Sequence, residues 1–244
     1  MTTIFSLGIG FFLSKYFLTT YVSKKELAVK IRIFFVYKGY SVITVGQKRN
    51  TMAAVQSTMA TLGTKAPSFK LPNVAGGNVE LEKYARNSKG TIIMFICNHC
   101  PYVKYINTKL VDIANEYMPK GIAFIAINSN DVENYPEDSP EKMKVVAMKE
   151  IYPFPYLFDE DQEIAKKYEA ACTPDFYLYD AELNLNYRGQ FDASRPGNAK
   201  EVNGEDLKLA MDTLLKGKKP IETQVPSIGC NIKWKPGNEP HYFG

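Results

Sequence analysis

The sequence predicts an α/β fold, a central sheet flanked by helices, behind an N-terminal extension. Three observations carry this. Residues 91–96 and 122–127 are short apolar runs rich in β-branched side chains, the pattern of strands buried on both faces. Segments of helical periodicity follow each of them, as in an α/β domain rather than a bundle or a sandwich. Charge also divides the chain: residues 1–51 carry eight basic side chains and one acid, a net +7, while the rest carries −3.

The break falls at Met52, and the expected boundary lies near residue 60, giving a leader over 1–59 and a domain over 60–244. In the leader, Ile4 to Val22 is apolar but interrupted by Ser6, Ser14, Lys15, Thr19 and Thr20. A membrane span needs about 20 apolar residues, and lysines following a span would leave the domain on the cytoplasmic side. No positive charge precedes the apolar stretch, unlike a secretory signal. Three readings stay open: a membrane anchor, an organelle-targeting segment, and upstream sequence before a start at Met52.

Within the domain, Ala66 to Pro72 is extended and broken by prolines, Gly76-Gly77 is a turn, and Val79 to Leu81 alternates again. The strand Thr91–Ile96 leads to a helix over Tyr102–Met118, with Val103, Ile106, Leu110, Ile113 and Tyr117 on one face and Pro119 and Gly121 closing it. After the second strand, Ile122–Ile127, comes a polar loop, Asn128 to Asp138. The next helix has Ser139 as cap and Pro140 as first residue. Pro153 to Phe158 ends that helix and begins a short strand, and Gln162–Ala170 is a short helix. Phe176–Tyr179 and Leu183–Tyr187 read as a hairpin around 180–182. The last helix is Glu205–Lys216, with acids at its start and Gly217 and Pro220 beyond it. The tail from Ile221, rich in Pro, Gly and Asn, reads as an ordered loop.

Composition excludes several classes. Of 244 residues, 45% are hydrophobic and 23% charged, which rules out collagen-like, coiled-coil and wholly disordered chains. The net charge of +4 is too small to suggest nucleic-acid binding. Four cysteines are too few for a disulfide scaffold, so a close pair points to redox or metal chemistry.

That pair is Cys97-Asn98-His99-Cys100, directly after a buried strand and at the start of a helix. Two thiols at this spacing can close a disulfide, and free amides at a helix N-terminus stabilise a thiolate. Cys97, nearer the strand end, is expected to be the exposed nucleophile. Cys100, expected one turn into the helix, resolves the mixed disulfide. His99 adds a potential positive charge and is expected to make the couple more oxidising. Zinc is not expected, because a structural site needs about four ligands and no second Cys-x-x-Cys exists. Cys172-Thr173-Pro174 is a second point of interest, since a proline between a helix and a strand can hold a cis peptide.

Buried strand, Cys-x-x-Cys, Thr-Pro, hairpin and last helix together resemble the thioredoxin fold, a central mixed sheet flanked by helices. The resemblance implies that Pro174 is the cis proline and that the Thr173 backbone contacts a bound substrate chain. Gly63 to Pro72 resembles the opening of the redoxin branch, which includes the alkyl hydroperoxide reductase and thiol-specific antioxidant group. Phe95 to Val103 and Pro226 to Lys235 resemble a peroxiredoxin-like group of that branch. Similarity runs from about residue 55 to the C-terminus. Peroxiredoxins carry Pro-x-x-x-Thr/Ser-x-x-Cys, and no register here supplies that hydroxyl: Cys97 or Met94 stands in its place. Thioredoxins carry an acid in the strand before the first cysteine. Thr91–Ile96 has none, which leaves His99 or water to move protons.

The expected function is therefore thiol–disulfide exchange through Cys97 and Cys100, with protein or small-molecule thiols and disulfides as partners. No organic cofactor, resident metal or nucleic acid is expected, and a membrane enters only if the leader is an anchor. A thiol peroxidase is the alternative, and a thiolate carrier of copper(I) using Cys97, Cys100 and His99 a weaker one. Cys172 and Cys230 are possible accessory thiols: Cys172 as a trap for mixed disulfides or a core residue, Cys230 as a resolving or structural residue. Trp234 is expected to pack the tail onto the domain.

Overall fold

The computed structural model describes Leu18–Tyr21, Lys30–Ile33 and residues 54–243. The chain divides into two compact units, residues 1–50 and 51–244. In the first, strands β1 (Leu18–Tyr21) and β2 (Lys30–Ile33) pair antiparallel. The rest of the candidate span, Ile4 to Val22, lies outside the described residues. Among the described residues no helix is long and apolar enough to cross a membrane.

The second unit begins with β3 (Ala54–Gln56), β4 (Lys70–Pro72), β5 (Asn78–Glu80), the short helix α1 (Leu81–Ala85) and β6 (Gly90–Phe95). The long helix α2 (Pro101–Tyr117) follows, then β7 (Ile122–Asn128), α3 (Pro140–Lys149), β8 (Tyr156–Phe158) and α4 (Glu163–Lys167). The chain closes with β9 (Cys172–Thr173), β10 (Asp175–Asp180), β11 (Leu185–Gly189), α5 (Glu205–Leu215) and β12 (Ile228–Asn231).

Five strands form the central sheet in the order β11-β10-β6-β7-β8. β6, β7 and β8 run parallel, and β10 is antiparallel to both β6 and β11, so the sheet is mixed. Side chains alternate across a strand, and β6 divides its run accordingly. Ile92, Met94 and Ile96 pack with Val103, Ile106 and Leu110 of α2 and Leu207 and Met211 of α5. Ile93 and Phe95 face the other way, onto Leu81, Ile164, Tyr168 and Trp234. Two apolar layers on one sheet explain why this run reads as continuously hydrophobic.

Two expectations need correction. The domain starts before residue 60, because β3 at 54–56 pairs with β12. The tail is not simply a loop: β12 lies between β3 and β9 in a three-stranded antiparallel sheet. Gly229 makes that possible. A Cβ there would lie 2.0 Å from the Thr173 carbonyl oxygen, so only glycine lets the two backbones approach this closely. Trp234 packs into the second core layer, edge-on to Tyr242.

Candidate functional site

The site forms where β6 ends. Cys97 and Cys100 lie between β6 and α2, and Pro101 is the first residue of the helix. Proline suits that position and keeps the residue before it out of helical conformation. Cys100 is accordingly extended, with φ −62° and ψ 123°, and is the cap residue of α2 rather than a residue one turn inside. The amides at the start of α2 thus serve Cys100 more directly than Cys97.

The Thr173–Pro174 peptide is cis. Thr173 touches both thiols of the pair: its Oγ1 is 3.3 Å from Cys97 Sγ, and its carbonyl oxygen is 3.2 Å from Cys100 Sγ. The Thr173 backbone, expected to face a substrate chain, is here paired with Cys230 of β12. β12 also carries the Cys230 sulfur to 2.9 Å from Cys100 Sγ. None of the four cysteines is in a disulfide. Cys172 is buried on β9, its Sγ 3.7 Å from the Pro174 carbonyl.

Cys97 is buried, contrary to its expected exposure, with only 2% of its surface accessible. It nonetheless lines a cavity of about 390 Å³ between α2 and α3, together with Lys104, Asn107, Lys149 and Tyr152. Burial pushes the Cys97 thiol well above its ordinary pKa, and its contact with Cys100 and the Asp138 carboxylate add to this. Cys100 is shifted the other way. Its hydrogen-bonding contacts with Cys230 and then Cys97 hold its pKa low, with help from the Val103 backbone of α2. Cys230 is raised, first by that same contact with Cys100 and then by burial. Burial and the Asp138 carboxylate thus oppose a thiolate at Cys97, whereas the hydrogen-bonding contacts around Cys100 favour one there.

Asp138 was not singled out in the sequence, where it ends a polar loop. In the fold it is fully buried beside the pair. Its carboxylate accepts hydrogen bonds from the Asn98 amide at 2.8 Å and from Asn130 Nδ2 at 2.7 Å, and its Oδ2 lies 2.5 Å from His99 Nδ1. His99 stacks on Tyr135, and its Nε2 is buried without a hydrogen-bond partner among the described residues. A spacing of residues along the chain gives no signal for Asp138. Its place depends on the loop after β7 folding back over the start of α2.

Cys97, His99 and Asp138 offer three ligand atoms within 4.8 Å of one another. The 2.5 Å between His99 Nδ1 and Asp138 Oδ2 is a hydrogen-bond distance. Two ligands on one tetrahedral zinc stand ~3.3 Å apart at bond lengths of ~2.0–2.1 Å, so these atoms must separate before both can bind an ion. As they stand, the imidazole and the buried carboxylate are hydrogen-bonded to each other near the Cys97 sulfur.

A crystal structure of an uncharacterized conserved protein from Geobacillus kaustophilus is 58% identical, covering 76% of this chain and 98% of that one, with a TM-score of 0.74. A hypothetical protein from Sinorhizobium meliloti 1021 is 49% identical, covering 75% and 99%, with a TM-score of 0.73. A thioredoxin-family thiol:disulfide interchange protein from Chlorobium tepidum TLS shares the fold at 15% identity, covering 64% and 99%, with a TM-score of 0.50. No curated protein sequence matches. The fold is thioredoxin-like. The AhpC/TSA family model matches residues 62–188, more than half of the chain, and the chain belongs to that family of redoxins.

Proposed function

We propose that this protein is a thiol–disulfide oxidoreductase acting through Cys97 and Cys100. The observation that carries the reading is the contact of Thr173, in a cis Thr-Pro peptide, with both sulfurs at the end of β6. A partner disulfide reaches Cys97 through the cavity between α2 and α3. Cys97 loses its proton and attacks one partner sulfur; the partner's S–S bond breaks and its second sulfur leaves as a thiolate. Cys100 then gives up its proton and attacks Cys97 Sγ, releasing the first partner sulfur. The products are a Cys97–Cys100 disulfide and a reduced partner, and the reverse sequence oxidises a dithiol. We assign uptake of the Cys97 proton to Asp138 and His99, whose side-chain atoms lie within 4.8 Å of its sulfur, a role for which β6 itself supplies no acid.

Thiol-dependent peroxide reduction is the second reading, and one observation favours it beyond the family. Thr173 places a hydroxyl 3.3 Å from Cys97 Sγ, supplying across the fold the group absent from the local motif. There the Cys97 thiolate would attack a peroxide oxygen, giving a sulfenic acid and an alcohol or water. Cys100 would then condense with it, releasing water and forming the disulfide.

The test runs insulin reduction and hydrogen peroxide consumption side by side on the full chain, with Cys97→Ser and Cys100→Ser. The proposal expects insulin reduction that needs both cysteines. Fast peroxide turnover by Cys100→Ser, with no insulin reduction by the parent protein, overturns it in favour of the peroxidase.

A further inference from the structure

We propose that Cys230 is a third redox thiol, which takes Cys100 as its partner in an internal Cys100–Cys230 disulfide. The inference rests on Cys97 and Cys100 being the exchanging pair. Cys100 and Cys230 lie 130 residues apart in sequence, yet their sulfurs are 2.9 Å apart. Both side chains are buried, so solvent thiols do not compete for either. A disulfide has an S–S length of ~2.05 Å, so closure needs the sulfurs to approach by roughly 0.9 Å.

Backbone pairing fixes this juxtaposition on both sides. β12 pairs Cys230 with Thr173, and the Thr173 carbonyl is 3.2 Å from Cys100 Sγ. Gly229 allows the close approach of β12 to Thr173. Beyond Cys230, the tail is stitched to the body: the Lys233 amide donates to Asn130 Oδ1, and the Lys233 carbonyl accepts from the Asp131 amide and Gln162 Nε2. The Cys230 thiol is therefore held against the buried Cys100 sulfur of the pair.

The chemistry is an isomerisation with no net oxidation. Starting from the Cys97–Cys100 disulfide, Cys230 gives up its proton and attacks Cys100 Sγ. The Cys100–Cys230 bond forms, the Cys97–Cys100 bond breaks, and Cys97 leaves as a thiolate that takes up a proton. Asp138 and His99 lie beside that sulfur to return it. The oxidised protein then stores its disulfide in the interior while Cys97 is again a thiol. Attack of Cys97 on Cys100 runs the exchange backwards.

The experiment oxidises full-length Cys97→Ser with diamide, which removes two electrons and two protons. It then counts remaining thiols and maps disulfides by peptide mass spectrometry without reductant. The expected result is loss of two of the three remaining thiols, a Cys100–Cys230 peptide pair, and Cys172 still alkylatable. Cys97→Ser/Cys230→Ser should form no intramolecular disulfide. Retention of all three thiols by Cys97→Ser, or pairing of Cys100 with Cys172, overturns the proposal. Cys230→Ser, mapped in parallel, tests the underlying reading separately. A Cys97–Cys100 disulfide there shows that the pair exchanges whether or not Cys230 takes part, and its absence in both Cys230→Ser and the parent protein overturns the pair itself.

Discussion

The Asp138 carboxylate works against thiolate formation at Cys97, because a negative charge nearby disfavours a second one. Asp138→Asn removes that charge, so the Cys97 pKa should fall. Alkylation of Cys97 by iodoacetamide, followed against pH in a Cys100→Ser, Cys172→Ser and Cys230→Ser background, should show its midpoint moving to lower pH. A midpoint that stays or rises contradicts the placement of Asp138. His99→Ala acts in the opposite sense. It strips the carboxylate of its partner at 2.5 Å, leaving more negative charge to act on Cys97. The reduced pair loses stabilisation, and the Cys97–Cys100 reduction potential should become more negative, read by equilibration with glutathione. Measured on the same Cys97 alkylation midpoint, Asp138→Asn should lower it and His99→Ala should raise it, a contrast that lost packing alone would not produce.

Short elements govern the site more than long ones. Pro101 sets where α2 begins, and so makes Cys100 the cap residue that meets the free amides. β12, only four residues long, determines what lies behind the pair. Gly229→Ala would place a Cβ 2.0 Å from the Thr173 carbonyl oxygen and push β12 off β9. The expected cost is ~1–3 kcal/mol of stability by urea unfolding, as for other overpacked sites, together with a lower yield of the Cys100–Cys230 disulfide. Unchanged stability and yield would mean that β12 does not hold Cys230 in place.

At the scale of the whole molecule, a buried ion pair ties two strands of the central sheet together. Arg188 of β11 and Asp175 of β10 are both fully buried, with Arg188 Nη2 3.2 Å from Asp175 Oδ2. Arg188 also donates to the Glu169 carbonyl and lies over the Tyr177 ring at 4.5 Å. Removing one partner of such a pair leaves a buried charge uncompensated. Arg188→Met should cost about 3–5 kcal/mol in chemical unfolding, and Arg188→Met with Asp175→Asn much less. Equal losses for the single and double variants would argue that Arg188 contributes by packing alone. Asp175 lies next to Pro174, so the same pair anchors the loop that carries Thr173 to the thiols.

The sequence by itself determined the parts whose signals are local. Apolar runs at 91–96 and 122–127 became β6 and β7, helical periodicity from Val103 to Tyr117 became α2, and Ser139-Pro140 opened α3 with Ser139 Oγ accepting from the Lys142 amide. The position of Cys97 and Cys100 at the end of a buried strand was legible as well, whereas the place of Cys100 as cap residue of α2, rather than one turn inside, was not. Burial, charge and partnership were not legible. Cys97 is buried with Thr173, 76 residues further along the chain, against its sulfur. What lies against Cys100 is set by Cys230, 130 residues away, and Asp138 matters only because a polar loop is buried rather than solvated. These are long-range contacts with no periodicity to announce them, so tertiary structure alone decided them.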